Sequence, residues 1–385
     1  MTELRVDVLP VTGDVASVAE GLDAVPADLL RRWRLAGGVQ VRTLVTARTG
    51  GTLAGAAFEV HRPLTAYRKI VDVWASDDAV ADALVRTIEG RAWREGAVAV
   101  KRWFAARDAA WERSLGRGYR EVPVPTWAGP VVGGPETGSE TGYGQVRWRE
   151  RPPARALPYM RQTTDFTCGP AALQMALGGL GLRGEPSREE ELRLWRAATT
   201  VAGCDPLGLA LAAADRGATP EVLLSTEAPT LLELCRTDEE RELRRFIQTG
   251  FRAELTRRGI GVETVAFDLD RLRALIEGGG VALVLIEQLG MHDESCPHWI
   301  AVHGVEGDVF HVNDPWTDAH LGETYLDALD LPLPAATLDR LAWYGTPSYR
   351  GMIALRQPAG RQAGAGQSAG IETSVSSRAG SAPVR

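Results

Sequence analysis

Lysine is nearly absent from this chain. Lys69 and Lys101 are the only two, and arginine supplies the rest of the 43 basic residues. Acids and bases are interspersed and the formal net charge is −7, so the arginine bias reads as codon usage rather than a phosphate-binding surface, and nucleic acid is not expected as a partner. No stretch approaches the roughly 18 uninterrupted apolar residues of a spanning helix. The opening MTELRVDVLPVTGD lacks the basic start and apolar run of a secretory signal. No membrane partner and a cytoplasmic location are therefore expected. Cysteine is scarce too: Cys168, Cys204, Cys235 and Cys296 include no C-x-x-C pair, which speaks against a disulfide scaffold or a zinc ribbon and for free thiols. A G-x-x-x-x-G-K-[ST] loop is missing, as is any internal repeat of solenoid period.

What is present is enough apolar content, 44% of 385 residues, for two cores. Two breaks in composition divide the chain. Residues 129–144 are rich in Gly, Pro, Ser and Thr, and residues 357–385 have too little apolar content to bury. The expected organisation is a domain over 1–128, a linker over 129–150, a second domain over 151–356 and a disordered tail over 357–385.

In the first block, 39–47 and 52–60 read as strands joined at Gly50-Gly51, 69–75 as a third and 97–105 as a fourth. A helix is expected from Asp77 to about Gly96, with Val80, Leu84, Ile88 and Trp93 near one face. This α/β order, ending in AWERSLGRGYREV (110–122), resembles the core of GNAT-type acetyltransferases over roughly residues 35–125. That family holds the pyrophosphate of acetyl-CoA on a glycine-rich turn at a helix start. Here the turn reads WASDDAVADAL, with Asp77 and Asp78 where phosphates would lie. Carboxylates there repel an anion and cap a helix, so a degenerate domain without acetyl-CoA, and no cofactor, is expected.

The second block mixes helices and strands without strict alternation, which argues for α+β. Helices are expected over 168–180, over 188–199 behind a capping box of Ser187 and Glu190, from Asp205-Pro206 to Gly217, and over 229–258. Strands are expected at 218–224, 262–268, 281–289, 298–305, 309–314 and 349–355.

Cys168 opens the first of these helices, where the macrodipole favours a thiolate, and Gly169 leaves space beside it for a substrate carbonyl. A lone cysteine at a helix start is more often a small buried hydrophobe. Gln162, six residues upstream, can bring its amide beside the Cys168 N–H, so that two donors aim at a developing oxyanion. A thiolate also needs a base. His298 and His303 share a strand at an odd separation, so they face opposite sides and only one can serve. If the following hairpin turns through Val305-Glu306-Gly307, with Gly307 left-handed, Asp314 lies opposite His298 on the same face. A two-residue loop would turn Asp314 away. With the odd loop, His298 is the base and Asp314 its orienter, Asn313 points to the wrong face, and His303 and His311 are core or surface histidines.

Gln162, CGPAA (168–172), CDPLGLA (204–210), PHWIAVHGV (297–305) and VNDP (312–315) together resemble the papain-like cysteine peptidases that trim double-glycine leader peptides, and especially their soluble relatives, over about residues 157–356. The resemblance implies an N-terminal α/β GNAT-like domain followed by a C-terminal α+β papain-like cysteine peptidase domain. It implies Cys168 as nucleophile, His298 as base, Asp314 as orienter and Gln162 as oxyanion donor, acting on a peptide or protein substrate. Three alternatives stay open: a peptide-binding module without catalysis, a transamidase or cyclase on the same residues, and a zinc site at His292, Cys296 and His298. The zinc site lacks a second cysteine pair to close its shell, and no metal is expected.

Overall fold

Two sheets organise the residues that the computed structural model describes, which are 3–125, 142–182, 185–199 and 203–359. The first body opens with an edge strand, β1 (Leu4–Pro10), and a short helix, α1 (Ala27–Leu35). Strands β2 (Val41–Thr49) and β3 (Thr52–His61) form a hairpin. Gly50 and Gly51 turn it at φ 59° and 85°, left-handed angles that glycine adopts without strain. After β4 (Tyr67–Ala75), helix α2 (Asp78–Arg94) begins where Asp77 accepts a hydrogen bond from the Val80 N–H at 2.9 Å. It buries Val80, Leu84, Val85, Ile88 and Ala92 along one face. Strand β5 (Ala99–Phe104), helix α3 (Ala109–Gly116) and strands β6 (Arg120–Val122) and β7 (Tyr143–Trp148) complete the sheet, in the order β1-β2-β3-β4-β5-β7-β6. Only β4 and β5 run parallel, paired from Tyr67–Ile70 against Ala99–Arg102.

The sequence places residues 143–148 in a linker, and the structure makes them β7, seated between β5 and β6. The glycines that suggest a linker are points of close approach. A Cβ on Gly142 would lie 2.2 Å from the Trp103 ring, and one on Gly144 2.4 Å from Leu326. The first body therefore extends through Trp148. The rest of the glycine-rich linker and most of the expected tail fall on 126–141 and 360–385, outside the described residues.

The second body begins with helices α4 (Cys168–Gly179), α5 (Arg188–Ala198) and α6 (Pro206–Ala214). Strand β8 (Thr219–Leu224), helix α7 (Asp238–Arg257), strand β9 (Val262–Glu263) and helix α8 (Leu269–Glu277) follow. Then come β10 (Val281–Glu287), β11 (Pro297–Glu306), β12 (Val309–Asn313), β13 (Leu331–Pro334), α9 (Ala335–Leu341) and β14 (Gly351–Arg356). The sheet order is β13-β12-β11-β10-β14-β8-β9, with α4 against β10 and β11. No helix among the described residues is long and apolar enough to cross a membrane.

Three expectations for this body are corrected. The helix expected from 229 starts at Asp238, because Thr237 caps the Glu240 N–H, and upstream Leu231 sits at φ 59°. The strand expected over 262–268 shrinks to β9, because Asp268 is drawn off to cap α8 at the Arg271 N–H. Ser187 caps α5, but the box is half made: Gln174 accepts the Ser187 N–H, while Glu190 pairs with Arg216.

The two bodies share one core. Tyr67, Ala99, Val122 and Val146 of the first join the apolar cluster of the second. Within this contact lie both lysines of the chain, cross-strand neighbours on β4 and β5. Lys69 pairs with Asp327, and Tyr67 donates to the other oxygen of that carboxylate at 2.8 Å. Lys101 donates to the carbonyls of Leu326 and Leu329, each at 2.6 Å. Lys101→Met leaves those buried carbonyls without their donor, which costs roughly 1–3 kcal/mol for each unsatisfied group. Urea unfolding of Lys101→Met is expected to show a loss of about 2 kcal/mol or more; an unchanged midpoint and slope would refute this account of the contact.

Candidate functional site

The site starts at the N-terminus of α4. Cys168 is buried there, and the Thr167 side chain makes no cap hydrogen bond to the helix. Its hydroxyl lies 2.9 Å from the Thr164 hydroxyl instead. The N-cap side chain of α4 therefore leaves the first N–H groups of the helix uncapped, unlike that of α6, where Asp205 caps Leu207 and Gly208. The space beside Gly169, expected for a substrate carbonyl, is filled from the protein side. A Cβ there would meet Leu209 at 2.9 Å, Cys204 at 3.0 Å and Trp299 at 3.2 Å, so this glycine serves close packing beneath the helix.

The histidine and the aspartate come from the β11–β12 hairpin, and the route to their meeting differs from the expected one. Glu306 pairs with Val309, so the turn is the two-residue Gly307-Asp308, with Gly307 left-handed at φ 52°. That even loop alone would send Asp314 to the wrong face. The register shifts between Val302 and Gly304, inserting His303 as a bulge that restores the parity. Ala301 then pairs with Asn313, and Asp314, just past β12, lies diagonally across from His298 rather than directly opposite. His298 Nε2 sits 2.7 Å from Asp314 Oδ1, which leaves Nδ1 clear of that carboxylate, and the Cys168 side chain helps to raise the ring's pKa. Asn313 is turned elsewhere, accepting from the Asp330 N–H at 2.9 Å. His303 donates or accepts nothing at this site; its Nδ1 meets the Arg155 carbonyl at 3.0 Å. His311 stacks edge-on with Trp148, and burial lowers its pKa to about 4.

Asp314 is fully buried and surrounded. Its Oδ1 also accepts from the Trp316 N–H at 2.9 Å. Its Oδ2 meets His292 Nε2 at 3.1 Å and Arg62 Nη1 at 2.6 Å. Arg62 directly follows β3 in the first body. It makes a two-pronged bond to Glu323, Nε to Oε1 at 2.8 Å and Nη2 to Oε2 at 2.7 Å, and gives Nη2 to the Trp316 carbonyl at 2.9 Å. His292 Nδ1 faces Asp318 at 3.1 Å. Burial works to raise the Asp314 pKa, but the charges of His298 and Arg62 and the two histidine hydrogen bonds overcome it and hold the carboxyl well below the usual range. For His298, burial disfavours the cation; the charge and hydrogen bond of Asp314, with a further contribution from Cys168, outweigh it and push the pKa up to about 10. His292 is raised as well: its bonds to Asp314 and Asp318 prevail over burial and the Arg62 charge.

Gln162 is buried, and its N–H donates to the Pro315 carbonyl at 2.8 Å, which ties it to the residue after Asp314. Its Nε2 donates one hydrogen to the Thr164 carbonyl at 2.8 Å, leaving the second available. The zinc alternative finds no support in the geometry: His292 and His298 both turn to Asp314, and the Cys296 thiol lies 3.5 Å from the Pro297 carbonyl. His292, Asp318 and Glu323 bring ligand atoms within 4.8 Å of one another, but the Arg62 guanidinium already supplies the cation there. Arg62 does not stand out in the sequence, and His292 does so only as a candidate zinc ligand beside Cys296 and His298; no spacing links position 62 to position 314.

The profile of the family described as Peptidase_C39 like family (DUF3335) matches residues 157–356. Among curated proteins none matches the chain. Part of the chain is similar to solved acetyltransferases. The PaiA N-acetyltransferase of Thermoplasma acidophilum is 7% identical over 27% of this chain, which spans only 59% of that protein's length, at a TM-score of 0.22. The ribosomal-protein-S18-alanine N-acetyltransferase of Escherichia coli is 14% identical, with 37% of this chain and 92% of that one covered, at 0.27. An acetyltransferase of Bacillus subtilis is 15% identical, with 38% and 99% covered, at 0.26.

The His298–Asp314 contact has a measurable signature. A histidine raised to about 10 from the usual 6.5 or so keeps in the folded chain a proton that the unfolded chain has released. Its stabilisation is thus fully present below about pH 6.5 and is lost as pH rises through about 10. In ring-labelled protein the His298 resonances are expected not to titrate between pH 6 and 8. In Asp314→Asn they are expected to titrate at least two units lower, and the fall in stability between neutral and alkaline pH should flatten. An unchanged His298 titration in that variant would contradict the pairing.

Proposed function

Because this chain belongs to the Peptidase_C39 like family, we propose that it cleaves a peptide or amide bond through an acyl-enzyme on Cys168, with His298, Asp314 and Gln162 as its partners. The observation that carries the reading is the 2.7 Å contact of His298 Nε2 with Asp314, which leaves the other ring nitrogen clear of that carboxylate, and it is supported by Cys168 at the start of a helix that the Thr167 side chain does not cap. A histidine so placed stays protonated and pairs with the thiolate, the state in which a cysteine attacks a carbonyl.

The thiolate sulfur adds to the carbonyl carbon, and the carbonyl π electrons move to oxygen. The Cys168 N–H and the second Gln162 amide hydrogen donate to that oxyanion. As the oxyanion collapses the C–N bond breaks, and His298 gives its proton to the leaving amine, so a thioester and a neutral imidazole remain. Water then adds to the thioester, His298 takes the proton, and the C–S bond breaks to release the acid and restore the thiolate. Asp314 steadies the imidazolium in both halves without itself taking the proton. The substrate is a peptide or protein, and the protein acts in the cytoplasm. The first body does not transfer acetyl groups in this reading, since Asp77 already occupies the α2 N-terminus where an anion would bind.

Thiol labelling tests the proposal. Burial raises the Cys204 pKa well above its usual value and pushes Cys296 to about 12, so neither competes near neutral pH. Iodoacetamide is expected to modify Cys168 first, as read by peptide mapping. His298→Ala should slow that modification at least tenfold, and Asp314→Ala should slow it less. Equal labelling of all thiols, or a rate unaffected by His298→Ala, would refute the reading.

A further inference from the structure

We infer that Arg62, supplied by the first body, is a positioning residue of the proposed active site: it fixes the Asp314 carboxylate on which His298 leans, so the site is composite and spans both bodies. The inference rests on the proposed cysteine mechanism and adds to it a residue outside the segment that the family profile matches.

Geometry carries it. The Asp314 carboxylate has two oxygens, and His298 takes Oδ1. The carboxylate could still pivot about that contact unless Oδ2 were held. Arg62 Nη1 holds it at 2.6 Å, and the same guanidinium is clamped by both oxygens of Glu323 and by the Trp316 carbonyl. Planar and forked, the guanidinium can bridge two carboxylates at fixed angles, whereas an ammonium is a point charge. Arg62, Asp314 and Glu323 are all buried, so none of these bonds is screened by water. The charged and titratable groups facing Asp314 are Arg62, His292 and His298; Asp318 stands behind His292, Cys168 behind His298, and Glu323 and Tyr67 beside Arg62. Arg62 is the only permanent cation among them. Without it, Asp314 and Glu323 are left as two buried carboxylates with only histidine protons to balance them. An opposite charge this close favours the ionised carboxylate, and its removal raises the Asp314 pKa. Once Asp314 takes up a proton, His298 loses the anion that holds its own.

The test is the pH profile of Cys168 alkylation by iodoacetamide, followed on the full chain between pH 4 and 9. Arg62→Gln is expected to move the acid side of the profile up by about one unit and to slow modification at pH 6 about tenfold. Arg62→Lys keeps the charge but loses the fork and is expected to fall between. Lys101→Met lies in the same contact between the bodies without touching Asp314, so it should lower stability and leave the profile where it is. A purely structural role for Arg62 predicts the Lys101→Met pattern for Arg62→Gln as well, and a superimposable profile would overturn the inference. If Arg62→Gln does not fold, Arg62→Lys decides by the same criterion. His298→Ala separates the two levels: if it leaves alkylation unchanged, the cysteine mechanism fails and Arg62 with it. If it slows alkylation while Arg62→Gln and Arg62→Lys do not, only the role of Arg62 fails.

Discussion

A fully buried carboxylate, Asp314, determines much of what surrounds it. Desolvating an ion costs several kcal/mol even after the protein relaxes, and the cost is recovered only when good geometry places counter-charges and donors on every lone pair. Asp314 meets that demand with His298 and the Trp316 N–H on one oxygen, His292 and Arg62 on the other. Each of those groups must itself be held. His292 is pinned by Asp318, Arg62 by Glu323, and the 314–323 segment curls back on itself to deliver both acids. The candidate site is thus the innermost part of a chain of ion pairs that begins on one sheet and ends on the other.

The same constraint explains the odd distribution of lysine. The contact between the bodies buries Lys69 and Lys101 side by side on adjacent strands, an arrangement that repulsion and desolvation both oppose. Burial lowers the Lys101 pKa to about 8. What compensates is the segment after Asp314, which offers the Asp327 carboxylate to one ammonium and the carbonyls of Leu326 and Leu329 to the other. A compact ammonium with three rotatable donors suits convergent carbonyls, whereas a planar guanidinium would need them spread in a plane. Arginine serves where two carboxylates are to be bridged, at position 62, and lysine serves where carbonyls converge, at position 101.

Much of this was legible in the sequence, and what was not has a physical reason. Cys168 at a helix start, Gln162 upstream of it and the pairing of His298 with Asp314 follow from periodicity and spacing. The register did not: parity was assigned to a three-residue loop, whereas a two-residue turn and a bulge at His303 produce it together. A bulge leaves no mark in a continuous apolar run such as WIAV (299–302), where no polar alternation reports the register. The linker was drawn too long because glycine serves equally for a flexible segment and for a strand that its neighbours approach closely, as at Gly142 and Gly144. Arg62 leaves no signal at all and His292 reads only as a candidate zinc ligand, since neither lies at a local spacing from Asp314; only the folded topology brings them there. The rarity of lysine was visible, but its use was not, because a cation's partner across two sheets is not encoded near it.

A boundary of composition, then, is not a boundary of stability. The segment matched by the family profile runs from 157 to 356 and contains Asp314, Glu323 and Asp327, while the basic residues that meet these acids, Arg62 and Lys69, lie in the other body. Severed after Trp148, the second body would keep three acids in or beside its core with two of their counter-ions removed and the backbone carbonyls at Leu326 and Leu329 deprived of a donor. Breaking a buried pair by removing one partner is far more costly than never having built it, because the remaining charge is left uncompensated. The apolar contacts of Tyr67, Ala99, Val122 and Val146 with the second core would be lost in the same step. The first body is therefore best understood as a wall of the second, and the ion pairs that join them tie the integrity of that wall to the position of a single carboxylate beside His298.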